Sequence, residues 1–301
     1  MFSLSAARQK TGFSTPALAT IALLGAMLLW SSSFIALKIA FRGYHPQVVI
    51  FGRMLVASLC FLLVAPRLAR GLRYRKGDYK LILFMVVCEP CLYFLFEAEA
   101  VVNTTASQAG VVTAILPILT MTAAALFLKE KVASTAWIGA GVALGGVCWL
   151  TLTSNPSSDA PNPMLGNFLE FLAMVCATGY TISLKHLAAR YSPFFLTALQ
   201  AFAGTVFYFP LLFLPSTTIP DTFHLQSGLA ILYLGAVITL GAYGLFNFAL
   251  QKVPANKASS YVNLIPVFSV VLGWLVLGET LSAVQICATF VILAGVWFAQ
   301  K

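Results

Sequence analysis

From residue 17 onward the chain alternates long apolar runs with short polar punctuation. A membrane-spanning helix needs about 20 mostly apolar residues, and the pattern supplies ten such runs. In the first half they lie near 17–40, 46–65, 79–101, 107–128 and 133–152. In the second half they lie near 165–186, 194–214, 227–250, 258–277 and 282–299. Between the halves, "TSNPSSDAPNPMLG" (153–166) is rich in Pro, Ser and Asn and carries no basic residue, the composition of a linker. The expected organisation is a cytoplasmic segment 1–16, a five-helix unit 17–153, an extracytoplasmic linker 154–164 and a second five-helix unit 165–301.

The two halves resemble each other. "ASQAGVVTAILPILTMTAAALFLKE" (106–130) aligns with "ANKASSYVNLIPVFSVVLGWLVLGE" (255–279) at a constant offset of 149, pairing Ala106 with Ala255, Pro117 with Pro266 and Glu130 with Glu279. Upstream, Lys38 and Pro46 match Lys185 and Pro193 at an offset of 147. Five spans per unit is an odd number, so the second copy enters the bilayer from the opposite side. The expected fold is an all-α integral membrane protein, ten transmembrane helices as two inverted-topology five-helix repeats around a central cavity. That is the usual build of secondary transporters, with the substrate near the midplane.

Charge sets the orientation. With the N-terminus in the cytoplasm, that side collects Arg8, Lys10, the loop cluster Arg67, Arg70, Arg73, Arg75, Lys76 and Lys80, then Lys129, Lys131, Lys185, Arg190, Lys252, Lys257 and Lys301. This is fifteen of the eighteen basic residues; Lys38 and Arg42 fall on the other face and Arg53 inside the second span. The positive-inside rule then places both termini in the cytoplasm of a plasma (inner) membrane. The basic cluster has no interleaved aromatic platform, which argues against nucleic acid as the partner of the +9 net charge.

Composition agrees: 60% of residues are hydrophobic and 9% charged, against about 25% charged in soluble domains. The apolar run that begins at Ala17 is too long for a signal peptide's core of roughly 7–15 residues and reads as a retained span. All six cysteines lie in apolar segments, where thiols act as small hydrophobes. Cys88 and Cys91 form a C-x-x-C with no second pair, a weak metal or redox signal.

"LLWSSSFIALK" (28–38), Arg53 in "FGRMLVAS", "EAVVNTTASQAGVVTAILPIL" (99–119) with Lys129-Glu130, and "ALQKVPANKASSYVNLIPVF" (249–268) with Gly278-Glu279 carry a further likeness. In these pieces the chain resembles the drug/metabolite transporter superfamily, specifically proteins with two EamA-type domains. The resemblance implies ten helices, cytoplasmic termini and a cavity lined mainly by spans one, three, four, six, eight and nine. It implies movement of small metabolites, often export of amino acids and related compounds. No cofactor is expected. Glu97 and Glu99 depart from that family's pattern, in which those positions are more often apolar, aromatic or small.

The candidate chemistry centres on "CEPCLYFLFEAEA" (88–100). On a helix Glu89, Tyr93 and Glu97 form one stripe, with Glu99 pointing elsewhere. A mid-membrane carboxylate costs roughly 2.5–3.5 kcal/mol if ionised, so it should face a cavity, pair with a base or hold a proton. The second copy has Ile238, Phe246 and Phe248 at the places of Glu89, Glu97 and Glu99, so the fold does not demand acids there. They would neutralise an amino-bearing substrate or carry a coupling proton; solvation at the outer interface is the alternative for Glu97, Glu99 and Glu170. Pro90 removes a backbone donor beside Glu89. Glu170 begins a stripe with Met174 and Ala177. Arg53 reads as mainly structural, paired with Glu89 or Glu170, or else holding a substrate carboxylate.

Gln108, Asn247 and Asn263 add hydrogen-bonding groups, and Trp30, Tyr93, Tyr243 and Tyr261 make a candidate aromatic ring for the substrate's apolar part. Lys38 and Lys185 are gating candidates, or snorkel and bond the carbonyls ending their helices; Pro117 and Pro266 are hinge candidates. Gly141-x-x-x-Gly145 predicts close packing within the monomer, with a homodimer seam as the alternative. No G-x-x-x-x-G-K-[ST] loop and no H-E-x-x-H occur, so neither ATP drive nor zinc hydrolysis is expected. The expected function is secondary active transport of a small amino-bearing metabolite by alternating access, as export, with the lipid bilayer, the solute and protons as partners. The competing readings are a membrane-embedded enzyme built on Cys88, Glu89 and Cys91, and a facilitative channel.

Overall fold

A computed structural model describes residues 15–68, 75–127, 133–253, 258 and 261–299. Arg8, Lys10, Arg70, Arg73, Lys129, Glu130, Lys131, Ala255, Lys257 and Lys301, on which part of the charge bias and repeat rests, lie outside the described residues. Among the described residues the only β pairing is an isolated bridge between Ser157 and Ala160 in the linker; everything else regular is helical.

The first two helices are α1 (Thr15–Phe41) and α2 (Pro46–Leu68). The third span joins α3 (Asp78–Val86) to α4 (Tyr93–Asn103) through an irregular segment, Val87–Leu92. The fourth joins α5 (Ala106–Val112) to α6 (Leu116–Phe127) through a tight turn, Thr113–Ile115. There follow α7 (Ser134–Leu152), α8 (Pro163–Leu187) and α9 (Pro193–Tyr208). The eighth run is α10 (Leu225–Leu232), a wide π-type segment Tyr233–Ala242 and α11 (Tyr243–Lys252). A tight turn Tyr261–Leu264, α12 (Ile265–Leu272) and a second wide segment Gly273–Leu277 precede α13 (Ala283–Ala299).

Local sequence explains several starts. Asn162 and Ser192 each cap the third amide after them, Leu165 at 3.2 Å and Phe195 at 3.2 Å, and each is followed by a proline at the first helical position. Thr105 caps α5 through the Gln108 amide at 3.1 Å. Eight of the helical runs are long and apolar enough to cross a membrane, and two shorter apolar ones cover Tyr261–Leu277 and Ala283–Ala299. Large apolar side chains such as Leu63, Val206 and Phe290 point outward, as a lipid-facing surface requires.

Irregularity falls at matching places in the two halves. The broken segment 87–92 and the wide segment 233–242 overlap at an offset of 149, as do the tight turns 113–115 and 261–264 ahead of Pro117 and Pro266. Packing is reciprocal too. α7 lies on α13, α2 on α9 and α5 on α12, while α1 packs on α11 and α4 on α8. A Cβ on Gly146 would meet Ile292 N at 3.0 Å and Ala288 O at 3.3 Å; one on Gly295 would meet Ala143 N at 2.5 Å and Gly139 O at 2.8 Å. Those two sets of partners are themselves related by 149, so the same small-residue contact is made twice. On the facing helices α2 and α9, Ser58 and Thr205, 147 apart in the chain, share a hydrogen bond of 2.9 Å.

One packing expectation is corrected. A Cβ at Gly141 or Gly145 would have nothing within 4 Å, so that motif is not a close contact inside the monomer. The intimate seam uses Gly139, Gly146 and Gly295, because the face of α7 that meets α13 runs through 139, 143 and 146 rather than 141 and 145.

Candidate functional site

The third span is where the chain departs furthest from a regular helix. Glu89 has φ −150° and ψ 119°, extended backbone between two helical stretches. Pro90 has no amide to donate, and the carbonyls freed by the break are taken up by α9: Gln200 Nε2 donates to Glu89 O at 3.1 Å and the Tyr208 hydroxyl to Cys91 O at 2.7 Å. Gly204 of α9 leaves room for this, since a Cβ there would meet Met54 Sδ at 2.6 Å and Pro90 Cγ at 3.0 Å. The continuous Glu89–Tyr93–Glu97 helical stripe is therefore corrected: the break separates Glu89 from the helix that carries the other two. All three nonetheless line one cavity.

That cavity measures about 50 Å³, room for a few waters and far below the roughly 300 Å³ at which ligand pockets begin. Its walls come from α1 (Trp30, Ser33), α8 (Met174, Tyr180), α11 (Tyr243, Phe246), the turn regions around Thr113 and Val262, and Arg53 of α2. Trp30 packs edge-on to Tyr243 at 5.2 Å between ring centroids and against Phe246 at 4.8 Å. Tyr93, Trp30 and Tyr243 thus come together as an aromatic wall. Tyr261 does not join them; its hydroxyl lies 3.4 Å from Thr20 Oγ1.

Charge in the site is unequal. Arg53 is 1% exposed. Its Nε donates to Thr239 Oγ1 at 3.1 Å, its guanidinium lies 4.1 Å from the Phe94 ring centroid, and Nη1 approaches Glu97 Oε2 at 3.7 Å. Glu97 also accepts a 2.8 Å hydrogen bond from the Tyr93 hydroxyl. The expected partner of Arg53 was Glu89 or Glu170; it is Glu97, because the break draws Glu89 toward the Tyr243 hydroxyl. Arg53 also borders the cavity, a place its span was not expected to reach. Solvation does not explain Glu97 or Glu170, which are 3% and 0% exposed. Both Glu170 carboxyl oxygens lack a hydrogen-bond partner. Glu99 turns away and borders a second cavity, of about 620 Å³, with Lys38, Arg42 and Glu279.

The other expected residues serve elsewhere. Gln108 joins Thr104, Ser154 and Asn167 in a polar cluster near the linker. Asn247 accepts from Tyr180 at 2.8 Å and donates to Thr197 at 2.7 Å. Asn263 keeps its buried Oδ1 unpartnered outside the cavity wall. Lys38 donates to the Asp159 carbonyl, and Lys185 to the Leu250 and Val253 carbonyls at 2.8 and 2.9 Å, so Lys185 closes the end of α11 rather than of its own helix. Glu279 accepts from the Ala106 and Ser107 amides, both at 2.8 Å, and from the Ser107 hydroxyl at 2.6 Å. Cys88 packs where a Cβ on Gly179 would stand, 2.7 Å from its sulfur. Among the described residues no group of three or more His, Cys, Asp or Glu is arranged to hold a metal. Tyr180, Phe246 and Phe94 were not anticipated; extending the Glu170–Met174–Ala177 stripe by one turn reaches Tyr180 and would have found it.

The likeness to known proteins runs the length of the chain. The profile of the EamA-like transporter family matches twice, over residues 17–152 and 164–300. An "Uncharacterized transporter" of Archaeoglobus fulgidus is 26% identical over 90% of this chain and 95% of its own. A "Probable terminal-alkyne amino-acid exporter" of Streptantibioticus cattleyicolor is 24% identical, with 93% and 92% covered. A solved crystal structure superposes with a TM-score of 0.66 over 93% of this chain and 95% of that one at 19% identity, a likeness of fold. With both halves matched and the helices arranged as described, the chain belongs to the EamA-like transporter family, whose members are multi-pass membrane proteins.

Proposed function

We propose that the protein moves a small amino-bearing metabolite across the plasma (inner) membrane by alternating access, as export, with ten spans in two inverted repeats and both termini in the cytoplasm. The observation that carries this reading is the charge imbalance: one arginine serves a buried region holding Glu89, Glu97 and Glu170. Arg53 pairs with Glu97 and contacts Thr239 and the Phe94 face, so it reaches Glu89 only through space, and Glu89, set by the break at the cavity wall, has room to meet a second positive group. An ammonium group or a proton would satisfy it, and the two exclude each other. That is the basis of exchange. Trp30 and Tyr243 would receive the apolar part. The exporter name of the Streptantibioticus relative agrees with an amino compound as cargo.

In this reading the irregular segments 87–92 and 233–242 and the turns before Pro117 and Pro266 let the halves rock, and Lys38 and Lys185 gate opposite faces. The test is solute movement in proteoliposomes holding the purified protein, with a pooled panel of labelled amino acids, polyamines and nucleosides, with and without a pH gradient. An amino-bearing solute is expected to move, a pH gradient to change its flux, and Glu89→Gln to weaken solute binding and abolish that response. Flux unaltered in the variant would exclude Glu89 as the coupling site.

A further inference from the structure

We infer that Glu170 is a second proton-holding site, on the linker side of the cavity and separate from Glu89. Only its coupling to flux rests on the transport reading above. Glu170 is wholly buried on α8 and neither carboxyl oxygen has a hydrogen-bond partner. An ionised carboxylate in such a place is strongly unfavourable unless a cation faces it. The groups that do face it are Glu97, a like charge, and Tyr93, both from α4. Residues 106–127 of the fourth span contain no acid, base or tyrosine, and α7 brings only the exposed Cys148. Tyr243 on α11 is engaged with Glu89. The one arginine nearby is held by Glu97, Thr239 and Phe94. Among the described residues, then, no cation is left over for Glu170, and a bound proton is what neutralises it.

Two further observations separate this from a packing role. At the offset of 147 the first half carries Leu23, which is 1% exposed, so the scaffold accepts an apolar side chain at the equivalent place. One turn toward the linker, Asn167 is hydrogen-bonded to Thr104 at 2.8 Å and to Thr151 at 3.2 Å, and through Gln108 and Ser154 the polar contacts continue to Gln285. That cluster reaches the linker end of the bundle, where Ser154 is partly exposed. In the proposed step a water or hydronium O–H bond on that side breaks, the proton binds a Glu170 oxygen lone pair, and it later returns to water or passes to a Glu97 oxygen; no electrons are exchanged.

The test uses the purified full chain in lipid nanodiscs and needs no substrate. Infrared spectra are recorded at mildly acidic and mildly alkaline pH in the region of the protonated-carboxyl C=O stretch, and each variant's spectrum is subtracted from that of the wild type at the same pH. A band of Glu170, distinct from any band of Glu89, is expected in the wild type, lost in Glu170→Gln, present at a shifted position in Glu170→Asp and retained in Glu89→Gln. Glu170→Leu, copying Leu23, should elute and melt as a folded protein and also lack the band. A band unchanged in Glu170→Gln, or no protonated-carboxyl band in the wild type, overturns the inference. Loss of the band in a protein that moves no solute would sink the transport reading and leave the proton site standing. A pH-driven flux with the band untouched by Glu170→Gln would do the reverse.

Discussion

At the residue scale the site is governed by Arg53. A buried ion pair is weak evidence for stability, but removing one partner strands the other charge and costs about 3–5 kcal/mol. Arg53→Met should therefore lower the midpoint of thermal unfolding sharply, whereas Arg53→Met combined with Glu97→Gln should recover most of the loss, because the stranded carboxylate is gone. A double variant no more stable than the single one would mean that the Thr239 and Phe94 contacts, not the 3.7 Å pair with Glu97, carry the arginine's contribution. Arg53 was legible as the lone charge of its span, yet its partner was not. Helical spacing assigns neighbours only while the helix lasts, and the extended backbone at Glu89 ends it. Pro90 signalled a disturbance there, but Gln200 and Tyr208, which hold the break by hydrogen bonds to its carbonyls, sit over a hundred residues away and leave no local trace.

At the element scale, apolar blocks locate helices well because lipid leaves the chain no other way to satisfy its backbone. The expected run 79–101 became Asp78–Asn103, and 227–250 became Leu225–Lys252. What hydropathy does not encode is which face of a helix approaches its neighbour. Gly141 and Gly145 satisfy the sequence pattern and touch nothing, while Gly146 and Gly295 make the close approach. Gly295→Ala and Gly146→Ala should each destabilise by roughly 1–3 kcal/mol, since the new methyl meets backbone atoms that cannot swing aside. Gly141→Ala should stay within about 0.5 kcal/mol. Unfolding midpoints in detergent would settle the comparison; equal losses at 141 and 146 would contradict the seam described here. The larger loss is expected at 295, where the nearest backbone atom is 2.5 Å away rather than 3.0 Å.

At the scale of the whole molecule, the small cavity and the three hydrogen bonds that Glu279 accepts from the start of α5 belong together. Hydrogen bonds to a carboxylate contribute about 1.5–3 kcal/mol each, enough to hold one face of the bundle shut. Glu279→Ala should raise the rate at which a membrane-impermeant thiol reagent modifies Thr113→Cys, in a background without the six native cysteines, by at least about tenfold, the effect of losing about 1.4 kcal/mol, less than one of the three bonds. An unchanged rate would mean that this face closes by packing alone.

The smallness of the cavity has a consequence for drugs and toxins. If the halves rock as proposed, a solute bigger than a few waters would act as a spacer between them, carried only where the gap it props open on one side still allows the other side to part. A homologue of the cargo one ring too large would enter, jam the rocking motion and be released on the side it came from. Blockers of this protein are accordingly expected among oversized copies of its own cargo rather than among unrelated shapes.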